Sequence, residues 1–575
     1  MPGYDPPVRE MRFVLDTIAG LPGIAALPGY ESATPDTVTA ILEAAAGLAR
    51  DVLAPLDQPG DHEGARLENG VVRTPAGFSQ AYRSFVEGGW NGLPFAEAHG
   101  GQGLPLVVAT AVAEMWTAAN MSFALCPLLT AGAVEALERH GSEALKAQYL
   151  EKLVSGAWTG TMDLTEPQAG SDVGAVKTRA VPDGAHWRIS GQKIYITYGD
   201  HDLAENILHF VLARTPGSPA GTRGISLFLV PKFLPDAEGR PGRRNDVRCV
   251  SLEHKLGIHA SPTAVLAFGD EGGAIGFLVG EEQRGMACMF TMMNNARLSV
   301  GLQGVAISER VYQQARDFAR ERVQGGAAII RHPDVRRMLL LMRSRTEASR
   351  ALAYFTASCL DIARRSPDAA RRAQAQSRAE LLVPMVKAWC TDIGVENASL
   401  AIQVHGGMGF IEETGVAQHY RDIRIAPIYE GTNGIQAMDL LGRKLARDEG
   451  AAARALIAEM RALDAALAAR SEDGFAVIRA ALAQGIDAVE TASASLLAIH
   501  AADPGRAAAG AVPFLTLFAT VTGGWLLAKA ALAIDDPARR LSARFYAESV
   551  LPQATALLPA ITSGSTVIDF APELL

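Results

Sequence analysis

Along the chain the spacing of apolar residues changes twice. To about residue 160 they recur at helical intervals in alanine- and leucine-rich stretches such as Thr37 to Val52 and Val107 to Ala119, as in helices with one face in a core. The glycine cluster HGGQGLP, His99 to Pro105, breaks that pattern like a loop between packed helices. From about 161 to 285 the runs are short, alternating or β-branched and bounded by turn residues: HWRISGQKIYITYG, NILHFVLART, GISLFLVPKF and PTAVLAFGD. No long helical stretch separates them, which predicts an antiparallel barrel or sandwich rather than a doubly wound parallel sheet. After Gly285 the helical period returns. Leu298, Leu302, Val305, Val311, Ala315 and Phe318 mark one face of a long helix beginning near Asn294, and further helices are predicted over Arg336 to Asp361 and Ala373 to Gly394. Past Arg447 an alanine-rich region reads as an added helical domain. The expected order is therefore a helical domain (1–160), a middle β domain (161–285), a second helical domain (286–447) and an additional helical domain (448–575).

At 575 residues the chain exceeds what one core usually holds. A net charge of −9, with both signs interspersed, offers no basic stripe and argues against a nucleic-acid partner. Cys126, Cys249, Cys288, Cys359 and Cys390 lie far apart, with no CxxC pair and no histidine cluster, so structural thiols and no metal site are expected. The opening MPGYDPPVREMRF lacks the apolar run of a signal peptide, which points to the cytoplasm. The uncharged stretch Ala507 to Ala528 approaches the length of a membrane span, but Pro513 and Gly523-Gly524 interrupt it and Lys529, Asp535 and Asp536 follow. A buried helix pair, not a membrane span, is expected.

Three segments carry candidate chemistry. In IAPIYEGTNGIQAMDLLGRKL, Glu430 sits between an apolar run and a Gly-Thr-Asn-Gly turn. A carboxylate with dry neighbours has its charged form disfavoured and becomes a better base near neutral pH; the bland reading is a surface loop glutamate. In MDLTEPQAGSDVGAVKTRA, Thr165, Gly170 and Ser171 set hydroxyls and backbone amides beside a proline turn, suited to a polar heterocycle or a phosphate, or simply a loop entering the β domain. RVQGGAAIIRHP and QVHGGMGF combine a fixed cation with glycines and suit a pyrophosphate, although neither is a dinucleotide fingerprint and the second also reads as a helix-capping loop. Lys193, His201, Asp202 and His254 show no metal-ligand spacing and read as solvated or loop residues.

Taken together, the TEPQAGSD loop, the KIYIT strand, the Arg322 segment, the GGMG loop and the YEGT turn resemble, in order and spacing, the acyl-CoA dehydrogenase family over about residues 40 to 445. The opening YDPPVREMRFVL, the segment ITYGDHDLAENI and the C-terminal extension resemble its 3-methylmercaptopropionyl-CoA dehydrogenase-like branch. The resemblance implies an N-terminal helical domain, a β-barrel or sandwich, and a C-terminal four-helix bundle, mainly α overall. It implies FAD held by Met162, Leu164, Thr165, Gly170, Ser171, Tyr195, Ile196 and Thr197, with Arg322, Gln403, Gly406 and Gly407 reaching the cofactor of a neighbouring subunit in a homodimer or larger assembly. Thr432 matches a further cofactor contact; Gly434 stands where many relatives have glutamine, and Tyr195 where tryptophan is commoner. Ser171, Asn294, Arg297 and Gly431 are implied on the acyl-CoA side, Arg297 reading otherwise as a helix-surface charge. Glu430 is implied as the base that takes the α-proton, giving trans-2-enoyl-CoA, with electron-transfer flavoprotein as the electron acceptor. A straight-chain substrate, or an inactive flavin-bearing binding protein, are the alternatives.

Overall fold

The computed structural model describes residues 3–563 and 565–574. It divides into two packed units. One comprises the segment up to Glu43, Pro105–Ala118 and everything from Arg297 onward; the other comprises Ala44–Leu104 and Ala119–Ala296.

The second unit is built on an eight-stranded sheet. His186–Thr197 is its longest strand and pairs antiparallel with Thr263–Phe268, Ala274–Val279 and Arg179–Asp183. Asn206–Arg214 pairs antiparallel with Ile225–Pro231 but parallel with Trp158–Asp163. The antiparallel expectation thus holds for most of the sheet and fails at that edge. There, two intervening strands supply a connection long enough for parallel pairing. NILHFVLART shows no polar–apolar alternation because both faces are covered: Leu208, Phe210 and Leu212 pack with Trp158 and Tyr149, whereas Val211 and Ala213 pack with Ile189, Phe228 and Leu266.

The long helix starts at Gly285, not near Asn294, and runs to Glu321. The apolar run after Gly285 is itself helical, and the starting residue must be glycine, since a Cβ there would lie 2.4 Å from the carbonyl carbon of Ser226. Helices Pro333–Arg365 and Ala369–His405 also extend beyond their predicted ends.

In the first unit the long helix and Ala369–His405 cross at glycines. A Cβ on Gly304 would meet the Cys390 carbonyl oxygen at 2.0 Å, and one on Gly301 the Val386 oxygen at 2.6 Å. This contact brings Arg297 and Lys387, one from each helix, to the same region. Gly304→Ala is expected to cost about 2 kcal/mol by overpacking, read as a lower midpoint in thermal denaturation; an unchanged midpoint would mean the crossing opens freely.

Asp361 ties the N-terminal helices to this unit: its carboxylate accepts from the backbone N–H groups of Leu106 (2.7 Å) and Val107 (2.9 Å) and from the Tyr30 hydroxyl (2.8 Å). The two backbone donors lie at the start of helix Leu106–Ala119, where N–H groups lack partners in their own helix.

The C-terminal extension packs on the same helices. Ala511–Ala533 is one helix, preceded by the short helix Pro504–Ala509. Contrary to expectation, Pro513 and the glycine pair do not interrupt it. Pro513 falls in the first turn, where a missing N–H costs little. Gly523 admits Trp389, whose ring a Cβ would meet at 2.9 Å, and Trp389 Nε1–H donates to Thr520 Oγ1 at 3.0 Å. By length and composition Met121–His140 and Ala511–Ala533 match membrane spans, but 78% and 83% of their most apolar windows are buried inside the fold, as in core helices.

Candidate functional site

Glu430 ends the turn that follows helix Val416–Ile423. It adopts φ 56° and Gly431 φ 83°, two successive left-handed residues of which the first has a side chain. Such a backbone is strained and persists only where its surroundings hold it. Here Gln436 Nε2–H donates to the carbonyl oxygens of both Glu430 and Gly431 at 3.2 Å, and the Asn433 N–H donates to Pro427 O at 3.0 Å. Thr432 Oγ1 caps helix Asn433–Asp439 by accepting from the Ile435 N–H at 3.3 Å. Gly431 has no room for a Cβ, which would fall 2.9 Å from Gln436 Nε2.

The Glu430 side chain is half-buried. Burial pushes its pKa up to about 7, against the pull of the Lys387 and Arg297 charges. Lys387 is wholly buried, which brings its ammonium down to about 7 although Glu430 and Asp392 oppose the shift. Its Nζ donates to Asn433 Oδ1 at 2.9 Å. Arg297 is 5% exposed, so the helix-surface alternative falls; its Nη1–H donates to Asp439 Oδ2 at 3.0 Å. The side chain of Asn294 lies outside the described residues. Lys387 was missed at the sequence level. The available signal was a lone lysine in the apolar run LLVPMVKAWC.

Arg322 and Gln403 to Gly407 lie at the ends of two helices joined by a stack of Phe318 on His405, ring centres 4.3 Å apart. Arg322, Gln403, Gly406 and Gly407 are exposed, as is Phe410 at 86%. A cavity of about 290 Å³ opens beside them, lined by Gln314, Phe318, Glu321, His405, Met408 and Thr414, among others.

In the other unit, the strand Trp158–Asp163 delivers Met162, Leu164 and Thr165, all half-buried, into the TEP turn. Glu166 fixes the loop beyond: its carboxylate accepts from the Lys177 N–H (2.7 Å), the Thr178 N–H (3.0 Å), Thr178 Oγ1 (2.6 Å) and Lys193 Nζ (2.8 Å). Burial opposes its ionisation, yet Lys193 and these donors hold its pKa down at about 2. Gly170 and Ser171 remain exposed.

Tyr195 is placed by a β-bulge. Lys193 pairs with Leu266 and Ile196 with Ala264, so two residues of the long strand oppose Val265 alone. Tyr195 takes φ 61° and is 60% exposed, as a bulge that re-aims a side chain predicts. Ile194 N–H donates to Thr165 O at 3.0 Å, tying the bulge to the TEP turn. The Ile196 side chain enters the β core, Thr197 is half-buried, and the open surface here belongs to Tyr195.

The solvated reading of Lys193 and His201 is corrected. Both are buried, Lys193 with Glu166 and His201 with its Nε2 2.9 Å from Thr159 Oγ1. Asp202 accepts from the Thr74 backbone N–H at 3.1 Å and from Thr74 Oγ1 at 2.6 Å, and His254 is exposed. Among the described residues no His/Cys/Asp/Glu group could hold a metal, and the five thiols are free and buried.

The sequence matches the families described as acyl-CoA dehydrogenase N-terminal domain over residues 35–157, middle domain over 161–270 and C-terminal domain over 283–445, and acetyl-CoA dehydrogenase C-terminal like over 455–570. It is 52% identical over 548 residues to the 3-methylmercaptopropionyl-CoA dehydrogenase of Ruegeria pomeroyi, covering 92% of this chain and 91% of the relative. It is 34% identical over 602 residues to the broad-specificity linear acyl-CoA dehydrogenase FadE5 of Mycobacterium tuberculosis, covering 99% and 98%. Among solved structures, Caenorhabditis elegans ACDH-11 in complex with C11-CoA shares the fold with a TM-score of 0.77 at 24% identity, covering 92% of this chain and 90% of the other. With domain matches in sequence along most of its length and a relative this similar, the chain belongs to the acyl-CoA dehydrogenase family.

Proposed function

We propose that the chain oxidises the Cα–Cβ bond of a short- or medium-chain acyl-CoA to a trans-2-enoyl-CoA, with 3-methylthiopropanoyl-CoA as the first substrate to test and Glu430 as the base. The observation that carries the base assignment is the half-buried Glu430 carboxylate, on a strained turn and with its pKa near neutrality. The substrate rests on the 52% identity to the Ruegeria enzyme.

The α-proton of a thioester is weakly acidic, so a base alone is insufficient; negative charge on the thioester oxygen must also be stabilised in a dry site. In this reading the Glu430 carboxylate takes the α-proton and the Glu430 backbone N–H donates to that oxygen. Asn294, Arg297, Gly431 and Ser171 serve the acyl-CoA side.

The residues fit FAD. The exposed Tyr195 ring offers a stacking face, while the Thr165, Ser171 and Thr197 hydroxyls and the open backbone at Gly170 suit the polar edge of a heterocycle. Half-buried Met162 and Leu164 add apolar contacts, and Ile196, whose side chain lies in the β core, serves through its backbone. When bound, FAD supplies the acceptor for the two electrons and the β-hydrogen. Exposed Arg322, Gln403, Gly406 and Gly407, with Phe410 beside them, suit contact with a second copy and its cofactor, in a homodimer or larger assembly. Thr432 adds a contact from the base turn.

Residues 1–160, 161–285 and 286–447 form the dehydrogenase in this reading, and 448–575 the added helical domain. Electron-transfer flavoprotein is the proposed acceptor, the cytoplasm the proposed location, and no membrane span is involved. Anaerobic titration of the flavin-loaded protein with a thioester panel tests the substrate. 3-Methylthiopropanoyl-CoA is expected to bleach the flavin fastest. Faster bleaching by butanoyl-CoA or longer thioesters would replace it with a straight-chain substrate, and no bleaching by any would favour a flavin-bearing binding protein.

A further inference from the structure

We propose that Lys387 is a positioning residue for the base: its ammonium anchors Asn433, and through it the turn carrying Glu430, and sets a compensating positive charge facing the Glu430 carboxylate. The inference rests on the reading of Glu430 as the base.

Lys387 has no exposed surface and lies in helix Ala369–His405 between Val386 and Ala388, both buried. An ammonium in such a place is retained only where a hydrogen bond and opposite charge offset its lost hydration. Asn433 Oδ1 provides the hydrogen bond at 2.9 Å. The Asn433 amide is oriented for this role, because its Nδ2–H groups face Ala388 O (3.1 Å), Thr391 Oγ1 (3.0 Å) and Asp392 Oδ1 (2.8 Å). Asn433 also bonds Pro427 through its backbone, so Lys387 and its helix grip both sides of the Glu430 turn.

The charges acting on Glu430 come from two packed helices. Arg297, on the long helix, is engaged by Asp439 at 3.0 Å, and Arg443 approaches the same carboxylate at 3.7 Å. Lys387 has a neutral amide as its hydrogen-bond partner, which leaves its charge to act on Glu430 and on Asp392, the latter already bonded to Asn433. Tyr429, on the turn itself, donates to Gln303 Oε1, and burial raises its pKa so that it stays neutral. A positive neighbour lowers a carboxylate's pKa, so loss of the Lys387 charge raises that of Glu430 and confines the ionised base to higher pH.

The test compares flavin-loaded Lys387→Gln, Lys387→Met and Glu430→Gln with the parent, through the pH dependence of kcat/KM and hydrogen exchange across residues 428–437. Lys387→Gln retains an amide donor for Asn433. It is expected to leave exchange near the parent's while the acid limb moves up by about one pH unit, a loss of about fivefold at pH 7 that approaches tenfold in acid and is recovered in alkali. Lys387→Met is expected to show the same displaced limb together with faster exchange in the turn. An acid limb unmoved in both variants would overturn the inference even if exchange rose, since that is what a purely structural lysine would give. Turnover retained by Glu430→Gln would instead overturn the base assignment, and this inference with it, by a result that does not involve Lys387.

Discussion

Glu430→Gln is expected to lower turnover by on the order of 10³-fold, within the usual contribution of a general base, while the protein keeps its fold and flavin. Glutamine preserves the size and hydrogen-bonding capacity of the side chain but cannot accept the α-proton. The left-handed backbone is held by Gln436 and Asn433 through main-chain atoms, so it should survive the change. The parent's kcat/KM should rise with pH through about 7, because the base acts only when ionised. In Glu430→Gln that limb should disappear along with the activity. Parent-like rates, with a limb still near neutrality, would assign the proton transfer to another group.

Sequence reading singled out Glu430 because its turn is local: an acidic residue, a glycine and a capping threonine are adjacent in the chain, and the apolar run immediately precedes. Most of the long helices and strands were legible for the same reason, their periodicity being a property of consecutive residues. Lys387 was not, since its role depends on two helices crossing at Gly301 and Gly304 and on an amide far along the chain. The placement of Tyr195 was not legible either. Strict alternation in KIYIT assigns it the same face as Lys193, and only the register shift against Val265 turns it outward. The solvated reading failed for Lys193, a polar residue in a strand, because its partner Glu166 comes from the TEP turn, and for His201, a loop residue as expected, because it is buried against Thr159 of the strand Trp158–Asp163. The glycine pair in Ala511–Ala533 failed as a helix-breaking signal because Trp389 packs against Gly523, and Leu551 and Tyr546 against Gly524, giving the missing side chains a packing use.

A second large effect is expected away from the turn, at a buried ionic group in the first unit. Arg350 is 1% exposed and donates to Glu114 Oε1 from both Nε (2.9 Å) and Nη2 (2.6 Å), and to Glu309 Oε2 at 2.8 Å; the Tyr354 hydroxyl donates to Glu114 Oε2 at 2.7 Å. Removing the cation leaves two carboxylates in the interior, and breaking such a set by deleting one member costs about 3–5 kcal/mol. Arg350→Met should therefore lower the thermal midpoint more than Gly304→Ala does. Its pH dependence separates charge from packing. Burial already raises the pKa of Glu114, and without Arg350 the rise is larger, so the folded state of the variant binds protons that the unfolded state releases. The contribution of such a group is present at low pH and lost as pH rises through its folded value, so the gap from the parent should narrow as the pH is lowered toward 5. Adding Glu114→Gln and Glu309→Gln to Arg350→Met removes the orphaned charges and should recover much of the loss at neutral pH. If the triple variant is as unstable as the single one at every pH, the loss lies in the packing of the arginine stem rather than in its charge.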